Sequence, residues 1–163
     1  TILCDGFSKA YAMTGWRLGY AVAPKWLIEH MTKIGINIYS CAAAFTQKAG
    51  VEALTGPQTE VEKMVAEYKR RRDYIHSELN KMPGMSCKKP GGAFYAFPNI
   101  EKTGMQSKEL MEYLLKDGDV ATLHGTAFGK YGEGFLRFSY ATSMEKIKEG
   151  LGKTRVALEK LGV

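Results

Sequence analysis

Gly56-Pro57 divides this chain more firmly than any other pair of residues. Glycine readily ends a helix and proline cannot continue one, so the pair is a strong stop signal at which one element is expected to end and the next to start afresh. After the break, apolar residues recur at Val61, Met64, Val65, Tyr68, Ile75, Leu79 and Met82, in steps that fit three and four. That period places them on one face of a helix from about Thr59 to Met82, which Pro83-Gly84 closes. Thr59 with Glu62 three residues on fits a capping box at its start. The pattern changes in style after the break. The expected division is therefore residues 1–58 and residues 59–163, with the long helix bridging them.

Before the break, strands are expected at about Thr1–Cys4 and Arg17–Val22. "PKWLIEHMTKIGINI" reads as a helix with proline at its start and an apolar stripe through Trp26, Leu27, Ile28, Met31 and Ile34. "YSCAAAF" is a small-residue turn, and "TQKAGVEALTG" a helix running up to the break. After the bridging helix, "SCKKPGGAFYAFPNI" alternates and is rich in aromatics, as strands paired across Pro90-Gly91-Gly92 are. A short helix is expected over Ser107–Lys116, strands at Val120–Leu123 and Phe135–Tyr140, and a final helix over Ser143–Leu161. No internal repeat or low-complexity segment interrupts this order.

Composition excludes several classes of function. With 45% hydrophobic and 25% charged residues, the 163-residue chain has the balance of a soluble globular protein. Its apolar runs fall well short of the roughly 20 residues of a membrane span. "TILCDGF" carries no signal-peptide pattern and reads as a strand entered in mid-fold. Cys4, Cys41 and Cys87 are scattered, as buried free thiols in a reducing cytoplasm are. His30, His76 and His124 are equally scattered, so no metal site is expected. The net charge is +6, and its densest run, "YKRRRD", lies in the bridging helix with Lys69, Arg70 and Arg71 largely on the solvated side. Aromatic interleaving of the kind that stacks bases is missing there, so nucleic acid is not an expected partner.

The chemistry lies in "GFSKAYAMTGWRLGY". A lysine attacks aldehydes when its amine is partly desolvated. An arginine fork eight residues on, at Arg17, can grip a phosphate through parallel charge-assisted hydrogen bonds. Together Lys9 and Arg17 match the needs of pyridoxal 5′-phosphate, although a bare pair at this spacing is equally the mark of an ordinary surface loop. The residues between them decide. "GFSKAYAMTGWRLG" resembles the lysine-attachment signature of the class I/II aminotransferases, fold type I enzymes of the aspartate and aromatic aminotransferase kind. The resemblance continues through "GYAVAPKWLIEHM", "KPGGAFYAFPNI" and "HGTAFGKYGEGFLRFSYATSMEKIKEGL". In the last stretch the family pattern is visible as Gly125, Phe128-Gly129, Gly132-Glu133-Gly134, Arg137, Ser139 and Ala141.

The resemblance implies an α/β fold: the C-terminal part of a large cofactor-binding domain, followed by an α+β small domain. It implies that Lys9 attaches the cofactor and moves the substrate proton, that Arg17 binds the cofactor phosphate, and that Arg137 holds the substrate α-carboxylate. Ser8 is a further candidate for the cofactor, although Gly6 stands where some relatives carry a phosphate-binding serine. Tyr39 and Ser40 lie where a family loop reaches toward the neighbouring subunit's active site in a homodimer, so both are candidate substrate contacts, Tyr39 first. His124 stands where many relatives have proline. The family's pyridinium-binding aspartate and its O3′ ligands lie upstream of the lysine, so the expectation is a C-terminal portion with little activity alone. The implied reaction is amino transfer between an amino acid, aspartate or aromatic, and a 2-oxo acid. A C–S lyase or decarboxylase of the same fold, and a non-catalytic effector-binding module of a regulator, are the alternatives.

Overall fold

Leu3–Gly6 (β1) and Gly19–Val22 (β2) pair antiparallel in the computed structural model, which describes residues 1–162. The ladder runs from Leu3 opposite Val22 to Gly6 opposite Gly19, and Phe7 N–H continues it by donating to Leu18 O at 3.2 Å. Both expected strands thus share one sheet, but the first begins later than expected and Arg17 falls outside the second. Arg17 instead ends a 3-10 turn over Thr14–Trp16, in the left-handed conformation at φ 53° and ψ 49°. The chain has to reverse before β2 can begin, and strand propensity does not register that reversal.

Helix α1 (Lys25–Tyr39) starts after Pro24, whose carbonyl accepts from Leu27 and Ile28 N–H at 2.9 and 3.1 Å. Helix α2 (Ala44–Thr55) stops at Gly56, as the Gly-Pro pair predicts. Gly50 lets α2 approach the strands: a Cβ there would lie 2.5 Å from Leu18 Cδ2 and 3.4 Å from Phe7 Cζ. These elements form one compact unit, Thr1–Met64. Among its described residues the buried apolar side chains are Phe7 and Met13.

Helix α3 (Thr59–Leu79) begins in that unit and runs mostly in the second, Val65–Val163. Thr59 is its first helical residue, not its cap, so the expected Thr59–Glu62 capping box is one residue out of register. Gln58 instead closes the end of α2: its Nε2 donates to Ala53 O at 3.0 Å and Gly56 O at 2.8 Å. The far end of α3 comes at Leu79, before the expected Met82, because Asn80 takes over the hydrogen bonding. Asn80 Nδ2 donates to His76 O and Cys87 O at 2.8 and 3.0 Å, and its Oδ1 accepts from Cys87 N–H at 3.0 Å.

The second unit holds a three-stranded antiparallel sheet of Tyr95–Ala96 (β3), Leu123–His124 (β4) and Leu136–Ser139 (β5), in the order β3-β5-β4. The aromatic stretch 86–100 is therefore not the simple hairpin its alternation predicts. Ser86 bridges Asn99, but Tyr95 and Ala96 pair with Ser139 and Phe138 of β5. Pro90 brings no N–H to a ladder, and Ala93 is left-handed at φ 60° with its carbonyl taken by Tyr140 Oη–H at 2.9 Å. Helix α4 (Ser107–Gly118) is closed by Val120 N–H donating to Leu114 O at 2.9 Å, so β4 starts later than the expected Val120. Helix α5 (Met144–Lys160) is capped by Ser143, whose Oγ accepts from Lys146 N–H at 3.3 Å.

Apolar residues from α3, β3, α4, β5 and α5 meet in one core. Leu79, Ala96, Leu110, Leu114, Leu136 and Leu158 have no exposed surface. Of the thiols expected to be buried, Cys87 is, and burial pushes its pKa up, whereas Cys4 and Cys41 are exposed. In the basic run, Lys69 and Arg70 face solvent as expected, but Arg71 lies over the Tyr68 ring at 5.3 Å and pairs with Glu67 at 2.7 Å. Among the described residues no helix is long and apolar enough to cross a membrane.

Candidate active site

The candidate residues fall in both units: Ser8, Lys9, Arg17 and Tyr39 in the first, Arg137 in the second. In the first unit, β1 delivers Ser8 and Lys9 onto a turn. There Ala12 N–H donates to Lys9 O at 3.2 Å and Met13 N–H to Phe7 O at 3.4 Å. Phe7 is buried, Ser8 half-buried and Lys9 exposed, so the lysine is presented outward by an anchored neighbour.

The left-handed backbone of Arg17 turns its side chain back on the preceding turn, where Nη1 donates to Thr14 O at 2.8 Å. That bond steadies the guanidinium; its other N–H groups make no further hydrogen bond among the described residues. Arg17 and Tyr39 share a recess of about 860 Å³ that Gly15, Trp16, Cys41 and Phe45 also line. A Cβ at Gly15 would meet nothing within 4 Å, so bare backbone borders the arginine. A steadied guanidinium beside open backbone in a recess suits a phosphate group, which takes several short hydrogen bonds at once. Arg17 and Tyr39 are brought together here, while Ser8 and Lys9 lie on the turn that precedes the recess.

In the second unit, β5 alternates faces strictly. Leu136 and Phe138 point into the core with Ala96, whereas Phe135, Arg137 and Ser139 belong to the other face. Arg137 is half-buried. Its Cζ lies 4.2 Å from the Tyr95 ring centroid and 4.9 Å from that of Phe128. Phe128 in turn meets Phe97 edge-on at 6.2 Å, and Phe97 stacks on Phe135 at 5.2 Å with 9° between the planes. Among the described residues no carboxylate pairs with Arg137. A guanidinium set against two rings, with no acid on its edge, has the donor geometry that suits a carboxylate.

The loop that returns the chain to β5 explains much of the glycine pattern. A Cβ at Gly125 would run into the carbonyl of Gly132, and one at Gly132 into the carbonyl of Gly125. Gly134 is left-handed at φ 80°. Between them Glu133 accepts from Ser107 N–H at 2.7 Å, Ser107 Oγ–H at 2.9 Å and Gly134 N–H at 3.0 Å. These bonds, the Ser107 backbone N–H first, hold the Glu133 carboxyl below its usual range. A carboxylate at the start of α4 also meets the positive end of the helix dipole. His124 Nδ1 lies 2.6 Å from Thr126 Oγ1, within the same loop.

Sequence reasoning passes over Tyr95 and Phe97, and it marks Phe128 only as part of the family pattern, with no role at the site. The signal for Tyr95 and Phe97 is the two-residue alternation of an aromatic strand beside an arginine-bearing one; Phe128 reaches the site from a turn, and local pattern does not place it.

Comparison with known proteins bears on both units. Residues 1–153 match the model of the family described as aminotransferase class I and II. The chain is 48% identical over 161 residues to an aspartate aminotransferase of Pyrococcus horikoshii, covering 98% of this chain and 41% of that protein. It is 44% identical over 161 residues to aromatic-amino-acid aminotransferase 2 of Thermococcus litoralis, again covering 98% of this chain and 41% of that protein. Among solved structures, the aromatic aminotransferase of Pyrococcus horikoshii OT3 superposes with a TM-score of 0.94 at 46% identity, covering 98% of this chain and 43% of that one. The chain thus spans about two fifths of the length of the relatives it matches.

Proposed function

The chain belongs to the aminotransferase class I and II family, with the fold of the C-terminal portion of a fold type I enzyme, and from that premise we propose that it acts within a longer pyridoxal-phosphate-dependent transaminase. Enzymes of this family depend on that cofactor. The reaction is amino transfer between an amino acid, aspartate or aromatic, and a 2-oxo acid. The setting is a cytoplasmic homodimer. The observation that carries the reading is Arg137, which has no acid partner among the described residues and whose Cζ lies over the Tyr95 and Phe128 rings.

When bound, the cofactor supplies an aldehyde for amine attachment and a ring that accepts electrons. Lys9 Nζ would hold it, and would carry the proton to and from the substrate Cα. Arg17 binds the phosphate, for which its steadied guanidinium and the bare backbone at Gly15 are suited. Ser8 is a secondary candidate for the cofactor. Arg137 takes the substrate α-carboxylate in a bidentate grip. Tyr39, beside Arg17 on the same recess, makes a substrate-side contact. Because these residues are one part of such a site, the 163 residues alone have no useful turnover.

Borohydride reduction of the cofactor-loaded, family-length protein, followed by peptide mapping, tests the central role. The pyridoxyl group is expected on Lys9; recovery on Lys25 or another lysine removes the proposal. Mixing the isolated chain with cofactor, aspartate and 2-oxoglutarate tests the second part. Oxaloacetate formation near an ordinary enzyme's roughly 10 per second would show that the apparatus is complete in these residues.

A further inference from the structure

We propose that Tyr95 and Phe128 are positioning residues that hold the Arg137 guanidinium edge-on to the incoming carboxylate. The inference rests on the reading of Arg137 as the carboxylate receptor. An arginine on an open sheet face samples many rotamers, and a neighbouring acid normally pins it. Here no acid does so among the described residues, and an acid would in any case neutralise the fork and compete with the substrate. Rings do the pinning without that competition. Cζ lies over the Tyr95 ring, 4.2 Å from its centroid, and over the Phe128 ring, 4.9 Å from its centroid, so both rings sit against the guanidinium. Its N–H groups lie in the guanidinium plane, so stacking leaves them for hydrogen bonds.

The two rings are themselves held. Tyr95 is fixed by the ladder, opposite Ser139 on β5, two residues from Arg137 and on the same face. Leu123 of β4 sits directly opposite Arg137 on the other side of β5. Phe128 ends the 3-10 turn Gly125–Phe128, and Gly129 follows at φ 115°. It is buttressed edge-on by Phe97, which stacks on Phe135. Phe128 nevertheless remains 54% exposed, a large exposure for a phenylalanine with no other evident duty. A planar edge-on fork of this kind selects a planar two-oxygen acceptor, and a lysine in its place could neither stack as a plane nor offer two parallel donors.

Two experiments test the clamp. In the 163-residue chain, the Arg137 Nε–H resonance should be shifted by ring currents away from the other arginines. Tyr95→Leu and Phe128→Leu should each move it back toward them. An unshifted resonance in the parent chain overturns the proposal. In the cofactor-loaded, family-length protein, either leucine variant should raise the KM of amino and oxo acid substrates on the order of tenfold with kcat nearly unchanged. The inhibition constant of isovalerate, an aliphatic carboxylate with no amino group, should rise in parallel. Tyr95→Phe and Phe128→Tyr, which keep a ring, should restore both constants, a rescue that also excludes misfolding as the cause. Unchanged constants in well-folded leucine variants, or a fall in kcat at constant KM, overturn the clamp. If Arg137→Ala leaves the isovalerate constant unchanged, it is the reading of Arg137 as receptor that fails, whatever the resonance shows.

Discussion

Both units of this chain carry apolar residues in regular helical and strand periods, yet they dispose of them in opposite ways. In the second unit the apolar faces of α3, α4, α5 and the sheet close on one another, and Leu79, Leu110, Leu114, Leu136 and Leu158 lose all exposure. In the first unit Ile34 is 60% exposed, Ile38 73% and Phe45 70%, and the buried apolar side chains among its described residues are Phe7 and Met13. Periodicity reports which face of an element is apolar. It does not report what covers that face, and only in the second unit is the cover found among the described residues. The difference separates a unit able to hold itself together from one whose apolar faces call for further surface.

The largest effects expected from this comparison are catalytic, and they differ in kind between the units. Lys9→Ala in the first unit should lower kcat by on the order of 10³-fold or more, because the proton carrier is gone. Arg137→Ala in the second should cost on the order of 2–4 kcal/mol in kcat/KM for amino and oxo acids alike, with cofactor absorbance intact. Steady-state kinetics and cofactor spectra on the family-length protein separate the two. An Arg137→Ala protein that loses cofactor but keeps substrate affinity would exchange the roles of Arg17 and Arg137.

Next come the folding effects. Leu136→Ala removes a side chain with no exposure from the centre of the second unit's sheet and should cost about 2–5 kcal/mol of stability. Leu54→Ala, at a position 52% exposed in the first unit, should change stability by no more than about 0.5 kcal/mol. Denaturant unfolding of the 163-residue chain measures both. Equal losses would show that the first unit has a core that the exposure of its side chains conceals. Amide hydrogen exchange sharpens the same contrast: protection should concentrate in α4, α5 and β5 and be weak in α1.

What was legible in the sequence follows the same line. Helices α1, α2 and α5 lie where spacing and stop signals put them, because helical hydrogen bonds are local and the apolar stripe repeats them. The flanks of Arg17 mark it as a candidate phosphate ligand, but its left-handed backbone is not legible there, since that conformation is imposed by the turn before β2. The 86–100 stretch was misread as a hairpin because alternation shows a strand without naming its partner, and β5 lies far along the chain. The clamp on Arg137 was hidden for the same reason. Tyr95, Phe128 and Arg137 are distant in sequence, and only the ladder and the returning glycine loop bring them together.

The smallest effects concern two depressed carboxyls, and here the larger shift should matter less. Glu67 on α3 is held down to about 2 by hydrogen bonds from Arg70 and Arg71, while Glu133 is held down by the Ser107 backbone N–H, the Gly134 N–H and the Ser107 hydroxyl. Both shifts have the same sign. A carboxyl whose folded pKa is depressed contributes its stability above the unfolded value of about 4.3 and loses it as pH falls through the folded value. The partners differ. Glu67 is met by flexible side chains on a helix surface, one of them, Arg70, with 59% of its side chain exposed, where water and salt screen the pair and ordering the arginines costs entropy. Glu133 is met by the backbone N–H of Ser107, a residue with no exposed surface at the start of α4, and by that of the adjoining Gly134. Those donors lose their charged acceptor when Glu133 is made neutral. Glu133→Gln should therefore lower the unfolding midpoint at pH 7, and its deficit should shrink as pH falls below about 4, where the parent carboxyl also begins to protonate. Glu67→Gln should leave the midpoint nearly unchanged at 0.15 M salt. Thermal unfolding of both variants across pH 3–7 decides the matter: a larger loss for Glu67→Gln would mean that the surface pair, and not the cap of α4, does more to hold the second unit.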